Sequence, residues 1–394
     1  MSFVFIAPFG ETFTPSSSGA IATVIWEHCR QAKRSAIEPF VIATQSDAPP
    51  FAWPRTILLP HPPRPQNALT LVAARAQRKW QGWSNLNYRP WADGIVSALK
   101  KQDLQNLPIV INNDPELAVF LKSQFSDAFI VHYFHSVMEC KPAAQRDFKN
   151  AVSLALGVSN FTSRWAEEYY NMPPNSIRTV YNGVDTAQFY PPSTPAPAPL
   201  VVNYVGRLGI EKAPDLLLRA ALEIAGDVAP FSIQIAGSNA GPRYELDEYQ
   251  QELHAMADEL RKRGVQVSFA GHIGREEVPK ALRRAHINVM ASRCQEAFGM
   301  ATLEGMACGL ATIASRTGGT QEVLGDTGLL FERDDVPGLA AHLKTLLNDE
   351  TLRQEYSGKG PERASELTWE HAWAQLSKIL LDGHCDLPEP AAHV

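Results

Sequence analysis

The chain has 394 residues, 45% of them hydrophobic and 20% charged, with a formal net charge of −6. That length exceeds what one ordinary core serves, so two domains of a soluble globular protein are expected. The negative balance gives no support to general nucleic-acid binding, and no apolar run reaches the ~18 residues of a membrane-spanning helix.

At the N-terminus, MSFVFIAPFGE lacks the basic flank of a signal peptide and reads as a first buried strand, Phe3 to Ala7. A Ser/Thr/Pro-rich loop, Pro8 to Ser18, leads to Gly19 and a helix from Ala20 to Lys33 with Ile21, Val24, Ile25 and Cys29 on one face. A helix that starts just after a strand and a glycine presents free amides that suit a phosphate. After a strand at Pro39 to Thr44, the stretch 61–101 sets Arg64, Arg75, Arg78, Lys79, Arg89, Lys100 and Lys101 against one acid, Asp93, among Trp80, Trp83 and Trp91. It reads as a solvated helix face with aromatics in the core, or as a surface for an anionic substrate or a membrane. Further strands are expected at Pro108 to Ile111, Ala128 to Phe134 and Leu154 to Val158. The second of these delivers His132 and His135 near its C-terminal end, and helices follow from Pro115 and Thr162. The first half ends at Ile177 to Tyr181 and the turn-forming Asn182-Gly183-Val184-Asp185. Five prolines in Tyr190 to Pro199 then make a stiff connector, the clearest domain boundary in the chain.

A second α/β series begins with the strand Leu200 to Val205, followed by Gly206-Arg207 and a helix from Asp215 to Ile224. Strands at Ser232 to Ala236 and Gln266 to Ala270 flank a long charged helix, Leu246 to Arg263. A helix from Glu276 to Ala285 leads into Ile287 to Ser315, a strand, a polar loop with Glu296, a helix carrying Glu304 and a second β-branched strand, which together form a βαβ unit. Such a crossover puts the loop of Glu296, Phe298 and Gly299 at the crevice beyond the strand ends. Gly318-Gly319, a short helix, Leu329 to Phe331 and helices near Pro337 to Leu347 and Trp369 to Leu381 complete the chain. The expected architecture is α/β, two Rossmann-like halves facing each other across a cleft.

The familiar P-loop, HExxH and GxSxG motifs are missing. The one G-x-G, Gly358-Lys359-Gly360, follows a helix pattern, where it carries no dinucleotide meaning. No D-x-D pair indicates a divalent-metal clamp, and the scattered Cys29, Cys140, Cys294, Cys308 and Cys385 read as reduced thiols of a cytoplasmic protein. A leaving diphosphate could instead meet Arg207 and Lys212 on one loop, with backbone donors from the helix entered at Gly299 and Met300. Either basic residue alone is an ordinary surface charge, and Glu296 and Glu304 could simply be solvated or cap the helix.

Glu296 and Glu304 stand seven residues apart in E-AFGMATL-E, and GVSNFTSRW, VYNGVD, YVGRLGIEKAPD, FAGHI, TGLLF and LTWEHAW lie around them in order. This set resembles the E-x7-E signature of retaining GT-B glycosyltransferases of the family 4, glycogen-synthase-like type. It covers the second half and the end of the first, while the segment before about Leu107 matches only in pattern. The resemblance implies an acceptor-binding domain over 1–190, a nucleotide-sugar domain over 200–368 and a helix, 369–388, returning to the first domain. It also implies that Arg207 and Lys212 hold the donor diphosphate and that Glu296 binds the donor sugar. The amides of Phe298, Gly299, Met300 and Ala301 would line the sugar and phosphate site, with Glu304 on the ribose, the backbone near Ile273 on the base and Gly19 in the first phosphate loop. A histidine beside the reacting sugar matches His135 best, with His132 as competitor. Two departures stand out: Ser18-Gly19 replaces the usual glycine pair, and Lys212-Ala213 replaces Lys-Gly.

The implied function is metal-independent, retaining transfer of a sugar, with no cofactor, from a UDP- or GDP-sugar ahead of an ADP-sugar. The acceptor would be a glycan, a lipid-linked or a small molecule. The partners expected are the nucleotide sugar and that acceptor, not nucleic acid, with 61–101 as a peripheral contact at the inner face of a membrane. A nucleotide-sugar epimerase or hydrolase, or a non-catalytic nucleotide- or glycan-binding relative, are the other readings.

Overall fold

The computed structural model describes residues 2–15, 19–60, 88–194, 197–238 and 247–381. Ser18, Cys385 and the basic, Trp-bearing residues from Arg64 to Trp83 lie outside the described residues. Contacts divide the chain into two compact units, Met1–Gly157 with Ser163–Val180 and Trp369–Val394, and Val158–Thr162 with Tyr181–Thr368. The division falls after Val180, ahead of the proline-rich stretch. Residues 181–190 are held in the second unit, where Val184 N–H donates to Leu367 O at 2.9 Å. Arg283 also bonds Gln188 O at 2.8 Å and lies 4.5 Å from the centre of the Tyr190 ring.

The first unit is a seven-stranded parallel sheet in the order β3-β2-β1-β4-β5-β6-β7. Its strands are β1 (Val4–Ile6), β2 (Phe40–Thr44), β3 (Thr56–Leu59), β4 (Ile109–Asn112), β5 (Ile130–Phe134), β6 (Leu154–Gly157) and β7 (Arg178–Thr179). The central ones, VFI, IVIN and IVHYF, are buried along their whole length, which is why they read as apolar runs rather than alternating ones. Helices α1 (Ala20–Arg34), α2 (Tyr88–Lys101), α3 (Pro115–Gln124), α4 (Pro142–Ala151) and α5 (Asn160–Tyr169) connect them.

The second unit is a six-stranded parallel sheet in the order β10-β9-β8-β11-β12-β13. Its strands are β8 (Leu200–Val205), β9 (Phe231–Ala236), β10 (Gln266–Gly271), β11 (Ile287–Met290), β12 (Ala311–Ser315) and β13 (Leu329–Phe331). Its helices are α6 (Pro214–Ile224), α7 (Glu248–Lys262), α8 (Val278–Leu282), α9 (Met300–Ala307), α10 (Thr320–Leu324), α11 (Val336–Asn348) and α12 (Glu350–Glu366). Gly358-Lys359-Gly360 lies inside α12 rather than after a helix. Gly360 lets the helix approach α9, since a Cβ there would sit 2.9 Å from Met306 O.

The last helix, α13 (Trp369–Leu381), belongs to the first unit and packs on α1. Trp373 stacks on Phe3 at 6.0 Å and donates to Ser35 Oγ, while Glu370 pairs with Arg34 at 2.6 Å.

Candidate active site

In each sheet the strand order reverses once, between β1 and β4 and between β8 and β11, and loops leaving such strands at their C-terminal ends form the ligand crevice of an open α/β sheet. In the second unit the loop after β8 carries Arg207 and Lys212, and the loop after β11 carries Glu296. Lys212 Nζ lies 2.6 Å from Glu296 Oε1, and both side chains are largely buried, 17% and 11% exposed. A buried pair at that distance is a charge-assisted hydrogen bond whose partners fix each other. Arg207 is exposed at the mouth of the same loop.

The loops are held by backbone fit. Tyr204, buried in β8, donates its hydroxyl to Lys212 O at 2.8 Å and lies 3.2 Å from Arg207 O. Gly318 and Gly319 press on the other loop: Gly319 N–H donates to Glu296 O at 2.8 Å, and Gly318 N–H to Gln295 Oε1 at 2.8 Å. A Cβ on Gly318, where φ is +50°, would meet Glu296 O at 2.1 Å, and one on Gly319 would meet Ala297 O at 2.4 Å. Only glycine permits this approach.

Gly299, left-handed at φ 102°, turns the chain into α9, so Met300 and Ala301 open the helix with amides that suit an anion. Phe298 is buried behind them, its ring 6.0 Å from that of Tyr181. Two buried asparagines set α9 on the sheet: Asn203 bonds Asn288 at 3.2 Å, and Asn288 donates to Ala301 O at 3.3 Å. Glu304 projects from α9, 4% exposed at its side chain, and Arg275 Nη2 lies 2.6 Å from its Oε1. The Arg275 guanidinium also sits 5.0 Å from the centre of the Phe189 ring. Ile273 is half-buried in the loop after β10 that carries Arg275.

In the first unit the two histidines of β5 and its exit divide their roles. His132 is fully buried and its Nε2 accepts the Asp114 amide at 3.0 Å, which commits it to holding the N-terminus of α3. His135, just beyond the strand, has its ring 2.9 Å from Asn112 Oδ1, and its amide donates to Asn113 Oδ1 at 3.1 Å. Burial, reinforced by a neighbouring histidine, lowers each imidazole to a pKa of about 3, so both are neutral. His28 on α1, surrounded by Phe5, Tyr133, Trp369 and Trp373, is likewise lowered to about 3 by burial.

At the start of α1 the amides that sequence offers to a phosphate meet a carboxylate of the chain itself. Glu11 Oε1 accepts from Ala22 N–H at 2.7 Å, and a Cβ on Gly19 would lie 2.6 Å from the same oxygen. Burial raises the Glu11 pKa against those amide bonds. Gly19 is therefore a place of close approach to Glu11.

Sequence reasoning missed Glu11, Arg275 and Arg293. Arg293 was legible as a cation inside the Glu296 loop, but nothing local announces that its partner, Asp215, is 1% exposed. Among the described residues no group of three or more His, Cys, Asp or Glu is placed to hold a metal, and no helix is long and apolar enough to cross a membrane. Cys29, Cys140, Cys294 and Cys308 are free.

Two family models match adjoining parts of the chain, Glycosyltransferase Family 4 over residues 21–188 and Glycosyl transferases group 1 over residues 188–363. The D-inositol 3-phosphate glycosyltransferase of Rhodococcus erythropolis is 29% identical over 218 residues, which are 52% of this chain and 48% of that protein. Thus the chain spans about half the length of that relative. The phosphatidyl-myo-inositol mannosyltransferase of Mycolicibacterium smegmatis is 28% identical over 70% of this chain and 71% of its own. The crystal structure of Anabaena HepE, in complex with UDP and glucose, shares the fold over 97% of this chain and 100% of that one, with a TM-score of 0.71 at 16% identity.

Proposed function

The chain belongs to the family 4 type of GT-B glycosyltransferases, and on that premise we propose that it moves a sugar from a nucleotide-diphosphate donor to an acceptor hydroxyl with retention of configuration. The observation that carries this reading is the 2.6 Å pairing of Lys212 with Glu296 beside the Gly299 turn into α9. A cation for the diphosphate and a carboxylate for the sugar hydroxyls are held together at the switch point of the second sheet.

In this reading Arg207, Lys212 and the amides of Met300 and Ala301 hold the diphosphate, with Phe298 and Gly299 shaping the turn. Glu296 binds hydroxyls of the sugar, Glu304 takes the ribose and the backbone near Ile273 meets the base. His135 is assigned to the reacting sugar, and its neutral imidazole suits hydrogen bonding better than charge stabilisation. Gly19 is assigned to the first phosphate loop. The bond from the anomeric carbon to the phosphate oxygen breaks, the acceptor oxygen forms its bond on the same face, and the acceptor proton passes to the leaving diphosphate. Removing one stabilising donor from such a site commonly costs about 3 kcal/mol, a factor of 10²–10³ in rate. No metal is needed for this balance, and UDP- or GDP-sugars are the donors to expect.

The acceptor is a glycan, a lipid-linked or a small molecule. Relatives named for inositol 3-phosphate and phosphatidyl-myo-inositol make phosphorylated inositols the first acceptors to try. Work on the cytoplasmic side of a membrane, through 61–101, fits a lipid-linked acceptor.

The test is thermal stabilisation of the protein by UDP-, GDP- and ADP-sugars, then product analysis with the donor that binds. Lys212→Ala and Glu296→Ala should each remove at least a hundredfold of the transfer rate while keeping the native circular dichroism spectrum. Full transfer in both variants, or no stabilisation by any nucleotide sugar, would sink the reading.

A further inference from the structure

Arg293 bonds two carboxylates and a backbone carbonyl of the second unit. Its Nη1 and Nη2 lie 2.8 and 2.7 Å from the two oxygens of Asp215, a bidentate fork, and its Nε lies 2.5 Å from Asp334 Oδ1. Nη1 also donates to Ile210 O at 3.1 Å, and the Arg293 amide donates to Glu211 O at 2.8 Å. The same carbonyl receives the Cys294 amide at 3.2 Å and the Ser292 hydroxyl at 3.2 Å. Thus the loop that carries Glu296 grips the loop that carries Lys212 immediately before that lysine, and the first turn of α6 immediately after it.

Asp215 is anchored from behind, since Tyr249 donates its hydroxyl at 2.5 Å and Arg219 Nε lies 3.4 Å away. Burial works against the charged form, yet the hydrogen bonds from Arg293 and Tyr249 hold its carboxyl below the usual value. Donating to Asp215 in turn pushes the Arg293 guanidinium upward. Buried ion pairs are a poor source of net stability, because desolvation consumes most of the Coulomb gain. Their value lies in fixing one arrangement, and the planar fork of arginine does this where a lysine point charge cannot.

We infer that Arg293 is a positioning residue: it sets the distance between Lys212 and Glu296 by clamping the two loops through Asp215, Asp334 and the carbonyls of Ile210 and Glu211. It touches neither donor nor acceptor. Its consequence for catalysis rests on the assignment of Lys212 to the donor diphosphate, but the clamp can be read without any ligand.

The first measurement is the rate at which Lys212 is acetylated by acetic anhydride, followed by peptide mass spectrometry in the wild type, Arg293→Lys and Asp334→Asn. A lysine released from its carboxylate reacts faster. Arg293→Lys should raise the Lys212 rate at least threefold, with other lysines unchanged, and Asp334→Asn, which spares the Asp215 fork, should raise it less. The second measurement is calorimetric affinity for UDP, GDP and ADP. Arg293→Lys should weaken whichever nucleotide the wild type binds by about tenfold, and adding it to Lys212→Gln should cost almost nothing more, because coupled positions are not additive. Unchanged Lys212 reactivity in folded Arg293→Lys overturns the clamp, as does full additivity with Lys212→Gln. Should Arg293→Lys fail to fold, unchanged Lys212 reactivity in Asp334→Asn overturns it equally. If reactivity rises but the wild type binds none of UDP, GDP and ADP, the clamp stands and the transferase reading falls.

Discussion

In the first unit three histidines are neutral: His28 on α1, His132 on β5 and His135 just beyond it are held uncharged among Phe5, Tyr133, Phe134, Trp369 and Trp373. In the second unit three pairs are charged and matched, with Lys212 on Glu296, Arg275 on Glu304 and Arg293 on Asp215. The sheets share the same kind of parallel order, so topology does not explain the contrast. A buried charge persists only with a partner in place, whereas an imidazole can shed its proton and be buried alone. The first unit thus stores its sensitivity in protons and the second in geometry, and each can be broken in its own way.

Acid is the larger lever. A histidine whose folded pKa is lowered binds its proton more readily when unfolded, so its contribution is complete above 6.5 and is lost as pH falls toward 3. At pH 4 the loss is roughly 3 kcal/mol per buried histidine. Asp114 opposes this: burial raises it to about 7, so it favours the fold as pH falls from 7 toward 3.8. Glu11, also raised by burial, acts in the same sense as Asp114, but two carboxyls stand against three imidazoles and the balance is destabilising. All eight tryptophans lie in the segments of the first unit, so tryptophan fluorescence reports on that unit alone. Its midpoint in urea should fall steeply between pH 6 and pH 4, and His28→Phe should flatten the slope. A midpoint independent of pH would contradict the burial of neutral imidazoles.

Geometry is the lever in the second unit. Gly318→Ala places a Cβ 2.1 Å from Glu296 O at a left-handed position, and the obstacle is backbone that cannot swing aside. A cost of about 3 kcal/mol is expected. Amide exchange should quicken across 291–299 while 109–135 keeps its protection, and nucleotide affinity should fall with it. Equal loosening in both stretches would erase the contrast between the units.

Much of this was legible beforehand. The parallel strands announced themselves because burial on both faces leaves unbroken apolar runs such as Ile287–Met290 and Ala311–Ser315. Lys212, Glu296 and Glu304 were visible because each lies in a short motif that resembles the family's and stands in its order along the chain. The short β3 and the amphipathic α4 were not, since one is a partly exposed edge strand and the other is half polar. Arg275 and Arg293 escaped for another reason: each pairs with a carboxylate far along the chain, and a charge looks the same in sequence whether water or a buried carboxylate receives it, while Glu11 caps a backbone amide that no side-chain pattern marks.

The smallest test concerns the departure at Lys212-Ala213. Ala213 adopts φ 49° and ψ 46°, left-handed, while fully buried before α6. A left-handed L-residue costs about 1–2 kcal/mol, which Ala213→Gly would relieve. Against that stand a buried methyl worth about 0.8 kcal/mol and an unfolded-chain entropy of about 0.4–1 kcal/mol. The terms offset, so the stability change in urea should stay within about 0.5 kcal/mol. Lys212 should keep its acetylation rate, because Tyr204, Arg293 and Glu296 hold its loop irrespective of the next residue. A loss above about 2 kcal/mol would mean that the methyl packs harder than the strain it carries. A faster-reacting Lys212 would mean that the stiff backbone of Ala213, rather than the ion pairs around it, keeps the second unit's cation in place.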